Sequence, residues 1–390
     1  MISVREALDE IFKLVQPLGI ENVNLRQANG RVLAKPVIAT RNQPPFRTSV
    51  MDGYGIADLT VEPGQTFRVI GEAAAGHRFA GQVEKDQAIR IFTGAPVPET
   101  VNRVLIQEDV TRTEDMIEVS PNADSNMYIR LLGSDFKVND ALQAPRQLGA
   151  SELSLAAAMN APNVNVYKQP KVAILATGDE LVMPGEVPND DQIIASNAFG
   201  LAAIVEAAGG IPRILPIARD TDAALAAAFE LALHSDLIVT IGGASVGDHD
   251  LVGKVAESMG MKRSFYKVAM RPGKPLMAGM IHGTPMIGLP GNPVSSIVCG
   301  HVFIKPALAA MQGLPAEPLA TKHVMLSAPL KANGPREHYM RASLTGNKVQ
   351  AAGRQDSGLL SVLSRSNALI VRAANDPERA SGSMVDVVQL

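Results

Sequence analysis

Apolar and polar positions follow different periods in different parts of this chain. Over residues 4–16 the apolar side chains Val4, Ala7, Leu8, Ile11, Leu14 and Val15 recur at helical spacing. This predicts an amphipathic helix with Ser3 as its N-cap. Residues 18–37 carry short apolar runs broken by Asn22, Asn24 and Asn29-Gly30, which predicts short extended pieces. Residues 41–55 read as a loop. Pro44-Pro45 forces extended backbone and Asp52-Gly53 is a turn pair. Over 66–129 the pattern is all-β, with runs at 67–70, 88–92, 103–106 and 116–119 separated by glycine, proline and asparagine turns. Helical spacing returns over 138–161. The expected first domain is therefore elongated and discontinuous, residues 1–43 plus 136–168, with a β domain inserted at 44–135.

The central third has another rhythm. Residues 171–177 form an unbroken apolar run, as in a strand covered on both faces. A helix follows at 197–208 with Ser196 before it, then a strand at 214–218, an alanine-rich helix at 222–233 and a strand at 237–241. Such alternation predicts a mostly parallel sheet with right-handed crossovers. Ligands of such sheets bind beyond the carboxyl ends of the strands. Past Leu314 short strands and glycine or asparagine turns return. The expected fold class is thus α/β multidomain: a central α/β domain at 169–318, the elongated domain, the inserted β domain and a C-terminal β domain at 319–390.

Composition narrows the chemistry. At 390 residues, 46% hydrophobic and 19% charged, the chain reads as several globular domains. A net charge of −3 gives no basic field for nucleic acid or an anionic membrane, so any anion site must be local. The single cysteine, Cys299, excludes a disulfide framework within one chain and reads as a small apolar residue in a helix. Seven histidines show no metal-ligand spacing, which argues against zinc. No signal-like apolar segment opens the chain, and no apolar run approaches the roughly 18 residues of a membrane span. The expectation is a cytoplasmic protein with no nucleic acid or membrane partner.

Three turns of the central region concentrate polar chemistry: Thr177-Gly178-Asp179-Glu180, Gly242-Gly243 through Asp250, and Leu289-Pro290-Gly291-Asn292-Pro293-Val294-Ser295. Asn292-Pro293 is a helix start, with asparagine as cap and proline at the first position. Such an end either binds an anion through its free N–H groups or simply begins a helix. Gly291 and Ser295 favour the first. The glycines up to Gly247, with Ser245 among them, can present an anion nest. Asp248 and Asp250 would repel that anion unless a divalent cation stood between them, and Mg²⁺ suits such oxygen ligands. Asp220 is a third candidate ligand or a helix cap. Glu180 is an acid/base, a ligand or a cap. In Arg271-Pro272-Gly273-Lys274-Pro275, two prolines and a glycine fix where two cations point. The 41–55 loop, with Phe46, Ser49 and Asp52, is either a functional loop or a linker.

Together these motifs resemble one family. Pro44-Pro45-Phe46 with Met51-Asp52-Gly53-Tyr54, Thr93-Gly94-Ala95-Pro96-Val97-Pro98, Thr177-Gly178-Asp179-Glu180-Leu181, the Gly242 turn, Arg271-Pro-Gly-Lys274-Pro and Gly288-Leu-Pro-Gly-Asn292-Pro-Val-Ser295 are similar, in order and over essentially the whole chain, to the molybdopterin molybdenumtransferases. This is the MoeA family, related to the C-terminal part of gephyrin. Arg271 stands where lysine is more usual. The resemblance implies insertion of molybdate into adenylylated molybdopterin with Mg²⁺-dependent loss of AMP. It also implies an elongated homodimer with the active site shared between subunits, and contact with the molybdopterin-adenylating protein and cofactor-receiving enzymes. By position, Arg271, Lys274 and Ser295 would hold molybdate, with Ser357 and one of Arg336 or Arg341. Asp220 and Asp250, with Asp248, would serve the metal and phosphate end. Asp52, Thr93, Arg130, Asp135, Glu180, Lys267, Pro290 and Pro293 fall at positions the family treats as functional. Alternatives are a molybdopterin adenylyltransferase and a gephyrin-like scaffold.

Overall fold

The computed structural model describes residues 1–242 and 251–390. Its centre is a six-stranded sheet with the strand order Ile211–Ile214, Lys171–Ala176, Leu237–Ile241, Thr284–Leu289, Met277–Ile281, Lys262–Tyr266. The first four strands run parallel, and an antiparallel pair completes the sheet. The apolar run at 171–177 has a direct physical reading here. Val172 and Ile174 face one core, Ala173 and Leu175 the other, because side chains alternate across a pleated strand. Helices Asp222–Ala232 and Leu251–Ser258 cover the second face. The edge strand lies at 211–214 rather than 214–218, and Pro212 is tolerated there because an edge strand needs fewer ladder donors.

The first face is covered by helix Asn197–Ala207, by the helical run Pro293–Met311 and by the N-terminal helix Val4–Leu14. That N-terminal helix has its expected boundary. Ser3 accepts from the Glu6 N–H at 3.2 Å while Glu6 reaches back to the Ser3 N–H at 2.7 Å. Its packing differs from the sequence expectation, since Val4, Ala7, Leu8 and Ile11 join the central core rather than the first domain. The run Pro293–Met311 is also a departure: among the described residues it is long and apolar enough to span a bilayer, with mean hydropathy 1.5. It is a core helix, about 78% buried inside the protein. Pro306 has no N–H to donate, and the turn before it, Gly300–Ile304, opens to π spacing.

Four short strands, Ile20–Asn24, Asn163–Tyr167, Val32–Leu33 and Arg146–Gln147, form the sheet of the first region, packed with helix Ala150–Ala158. The helix expected over 138–161 is thus confined to its second half. Pro145 and the extended backbone at Gly149 leave the first half to strands Ala141–Leu142 and Arg146–Gln147. The neighbouring six-stranded sheet has Gly53–Ile56 inside it, between Arg103–Ile106 and Gln87–Ile91. The end of the predicted 41–55 loop is therefore a buried strand. The C-terminal strands close into a small barrel, because Glu337–Thr345 pairs with both Lys348–Ala351 and Ala368–Arg372. Its edge takes one guest: the two-residue strand Met270–Arg271 of the central domain, paired parallel with Glu337 and His338.

Candidate functional site

A cavity of about 530 Å³ opens at the carboxyl ends of the central parallel strands. Thr177, Gly178, Gly242, Pro290 and Gly291, which follow those strands, form its floor. The Thr177 N–H donates to the Ile241 carbonyl at 3.1 Å, and the Gly242 N–H donates to the Leu289 carbonyl at 3.1 Å. Gly242 has φ +92°, and a Cβ there would sit 2.9 Å from the Thr177 carbonyl oxygen, so only glycine lets the two turns approach. Gly178, Glu180, Asp220, Pro290, Asn292 and Pro293 also face this space.

At the helix start, Asn292 occupies the cap position without a side-chain cap bond. Two other residues fix the turn instead. Asn197 Nδ2 donates to the Gly291 carbonyl at 2.7 Å, and the Val294 N–H donates to the Ser357 carbonyl at 3.0 Å. Ser357 thereby brings the C-terminal barrel to the mouth of the central site. Ser295 lies buried in the first turn of the helix.

The acidic end carries Asp179, Glu180 and Asp220. The Asp220 N–H donates to Asp179 Oδ1 at 3.2 Å. Partial burial, then the charges of Asp179 and Glu180, push the Asp220 carboxyl above the usual carboxylate range. A divalent cation would relieve that repulsion. Among the described residues no three such side chains already converge on a common metal position. Ser245, Asp248 and Asp250 lie outside the described residues.

The cation turn stands at the other end. Val268 and Leu276 N–H groups both donate to the Lys274 carbonyl at 3.0 Å. Gly273 has φ +112°, and a Cβ there would meet Cys299 Sγ at 2.5 Å. Burial pushes the Cys299 thiol far up, so it packs the turn and is no nucleophile. Pro275 faces the main cavity, while Arg271 faces a second one of about 400 Å³ in the barrel, with His338 and Gln355. Arg336 Nη1 reaches the Met270 carbonyl at 3.4 Å. Arg341 is fully buried and donates to the Leu359 carbonyl at 3.3 Å, which makes Arg336 the freer of the two.

His338 was not singled out by sequence, since its isolated spacing carries no ligand signal. Burial, then Arg271, Arg372, Arg336 and Arg341, hold its pKa down at about 4, so the ring is neutral at pH 7. The neutral imidazole adds no charge of its own to these guanidiniums, of which Arg372 is already ion-paired with Asp376.

The remaining predicted residues lie apart. Asp52 accepts from both the Thr93 N–H and Thr93 Oγ1 at 2.7 Å, which holds its carboxyl below the usual range. Arg130 pairs across two short strands with Thr48, and the Asp135 N–H donates to the Gln43 carbonyl at 2.9 Å. None of these four lines the main cavity. Lys267 also stands outside it, with φ +71° and Nζ 4.8 Å from the centre of the Tyr266 ring.

Residues 2–160 match the MoeA N-terminal region (domain I and II), 173–310 a probable molybdopterin binding domain, and 323–390 the MoeA C-terminal region (domain IV). The chain is 34% identical to a molybdopterin molybdenumtransferase of Nostoc sp., covering 100% of this chain and 94% of that protein. It is 33% identical to one of Haemophilus influenzae, covering 99% and 98%. The structure superposes on a molybdopterin biosynthesis MoeA protein of Pyrococcus horikoshii with TM-score 0.86 at 25% identity, over 100% of both chains. With these family regions matched along its length and relatives 33–34% identical over nearly the whole chain, the chain belongs to the MoeA family of molybdopterin molybdenumtransferases.

Proposed function

We propose that this protein inserts molybdate into adenylylated molybdopterin, releasing AMP, as a transferase of molybdenum cofactor biosynthesis. The observation that carries this reading is the pairing of Met270–Arg271 with the barrel strand, which holds the cation turn beside the phosphate-type turns of the main cavity. Arg271 and Lys274, with Arg336, neutralise the molybdate dianion. Ser295, the Ser357 backbone and the turns at Pro290 and Pro293 shape the space between oxyanion and phosphate. Asp220 with Asp248 and Asp250 would hold Mg²⁺, and Glu180 acts on Asp220 from nearby. Mg²⁺ bound there would supply charge neutralisation at phosphate oxygens.

The working unit is a homodimer. Asp52, Thr93, Arg130 and Asp135 do not line their own chain's main cavity, and Ile38, Leu131, Leu132 and Val138 are 44–63% exposed in the same region. An apolar surface of this kind is covered in the assembled protein. The compartment is the cytoplasm, and the molybdopterin-adenylating protein and the cofactor-receiving enzymes are its partners.

The test is AMP release from adenylylated molybdopterin with molybdate, with and without Mg²⁺. Arg271→Ala and Asp52→Ala chains should each be inactive alone and recover part of the activity when co-expressed. Adenylate formation from Mg-ATP without molybdate would instead identify an adenylyltransferase.

A further inference from the structure

Ile2 stands just ahead of the Ser3 cap, outside the amphipathic helix Val4–Leu14. Residues in such positions fray unless tertiary contacts tie them down. Here the tie runs to the segment that leads into the cation turn. The Ile2 N–H donates to the Lys267 carbonyl at 3.1 Å, and the Ala269 N–H donates to the Ile2 carbonyl at 2.7 Å. Ile2 thereby pairs in parallel with Val268, and its side chain packs against the central core that also takes up Val268.

The other edge of the same segment belongs to the barrel. The Glu337 N–H donates to the Ala269 carbonyl at 2.9 Å, and Met270–Arg271 pairs with Glu337 and His338. Residues 267–271 are therefore the middle of a three-chain seam, with Ile2 on one side and the barrel on the other. The cation turn is stitched to this seam as well, since the Val268 N–H donates to the Lys274 carbonyl at 3.0 Å.

Lys267 marks where the seam is under strain. Its φ is +71°, a left-handed conformation that a side chain other than glycine keeps only where the surroundings hold it. Both of its backbone groups are held. Its N–H donates to the Leu276 carbonyl at 2.9 Å, and its carbonyl accepts from Ile2. Release of Ile2 would let Lys267 relax toward negative φ and re-aim the chain from Val268 onward.

The anchor behind Ile2 is firm. Val4, Ala7, Leu8 and Ile11 are buried in the central core, and the Ser3–Glu6 capping box sets the direction in which the chain meets the helix. Ser264 Oγ donates to Glu10 Oε2 at 2.5 Å, which ties the helix to the strand Lys262–Tyr266 just before Lys267. Arg271 and Lys274, by contrast, are exposed. A cation on a loose backbone must be ordered when an anion binds, and that cost is subtracted from affinity.

Resting on the functional reading above, we infer that Ile2 is a positioning residue for the oxyanion site. Its two backbone hydrogen bonds hold Lys267 in its left-handed conformation and so set where Arg271 and Lys274 present their charge.

The experiment uses the full chain and two readouts: amide hydrogen exchange at Ala269 and Glu337, and binding of molybdate alone by calorimetry. Ile2→Pro removes the N–H that Lys267 accepts, whereas Ile2→Val keeps both backbone bonds. In Ile2→Pro both amides should exchange faster and molybdate should bind about tenfold more weakly; Ile2→Val should match the wild type in both. Where Ile2→Pro does not fold, Ser3→Ala decides by the same readouts. It removes an exposed cap hydroxyl next to Ile2, and should speed exchange at Ala269 and weaken molybdate about threefold. A merely structural role would lower the thermal midpoint and leave molybdate affinity in place. Unchanged exchange, or faster exchange with wild-type affinity, would overturn the inference alone. No molybdate binding by the wild-type chain would overturn the functional reading, and the inference with it.

Discussion

Asp220 shows how neighbouring carboxylates set the proton affinity of one side chain. Its carboxyl is held above the ordinary range by burial and by Asp179 and Glu180. A raised folded-state pKa means that the folded form is increasingly disfavoured as pH climbs through the carboxylate range, and fully so at pH 7. Asp220→Asn should therefore raise the thermal midpoint at pH 7 in metal-free buffer, and saturating Mg²⁺ should raise the wild-type midpoint but not the variant's. Differential scanning calorimetry reads both. Asp52 has the opposite sense. Thr93 holds its carboxyl low, so that contribution is present above the ordinary carboxylate pKa and disappears as pH falls through the folded value. Thr93→Val removes the hydroxyl donor, and the Asp52 carboxyl should titrate closer to its ordinary range in a ¹³C NMR experiment. Sequence alone identified both acids as candidates. It did not identify His338 or His301, because what makes them unusual is burial and neighbours far along the chain.

Elements were legible wherever one face, or both, carried an unmixed pattern. Strand Leu237–Ile241 and helix Val4–Leu14 follow directly from their apolar spacing. Gly53–Ile56 did not, because two of its four residues are glycines that signal a turn. Their reason is steric. A Cβ at Gly53 would stand 1.9 Å from the Leu105 carbonyl oxygen of the adjacent strand. Gly53→Ala should accordingly cost about 1–3 kcal/mol or more, read from urea unfolding as a lowered midpoint with an unchanged slope. The helix expected over 138–161 failed for a complementary reason: leucine and alanine there serve both short strands and a helix, and only Pro145 and Gly149 mark the border. Helix Val4–Leu14 was visible as an element, but its partner was not. Amphipathic spacing says that a face is buried and is silent on what buries it.

For the whole molecule, the turns of the main cavity were readable because glycine, proline and asparagine have local reasons to be there. The barrel's contribution was legible only through the family resemblance, which pointed to Ser357 but not to His338, because both reach the site through tertiary pairing. That pairing makes the interdomain region sensitive to acid. With a folded-state pKa of about 4 against an ordinary 6.5, His338 resists protonation in the folded protein while the unfolded chain accepts the proton. Its contribution is therefore intact above about pH 6.5 and is lost as pH falls toward 4. His338→Gln should flatten the decline of the thermal midpoint across that window. His301, shifted in the same direction, should leave a residual slope.

The guest strand Met270–Arg271 carries one more consequence. Because Arg271 is at once a rung of the barrel's ladder and, on the reading proposed above, a cation of the oxyanion site, the barrel cannot swing away without breaking the pairing that holds that residue in place. Docking and grip are then linked, so whatever preference an anion has for Arg271 in the docked arrangement stabilises docking by the same coupling free energy. Amide hydrogen exchange along Glu337–Thr345 should slow when molybdate is added, and Arg271→Ala should abolish that slowing. On that reading the barrel would work as a latch that the bound oxyanion closes.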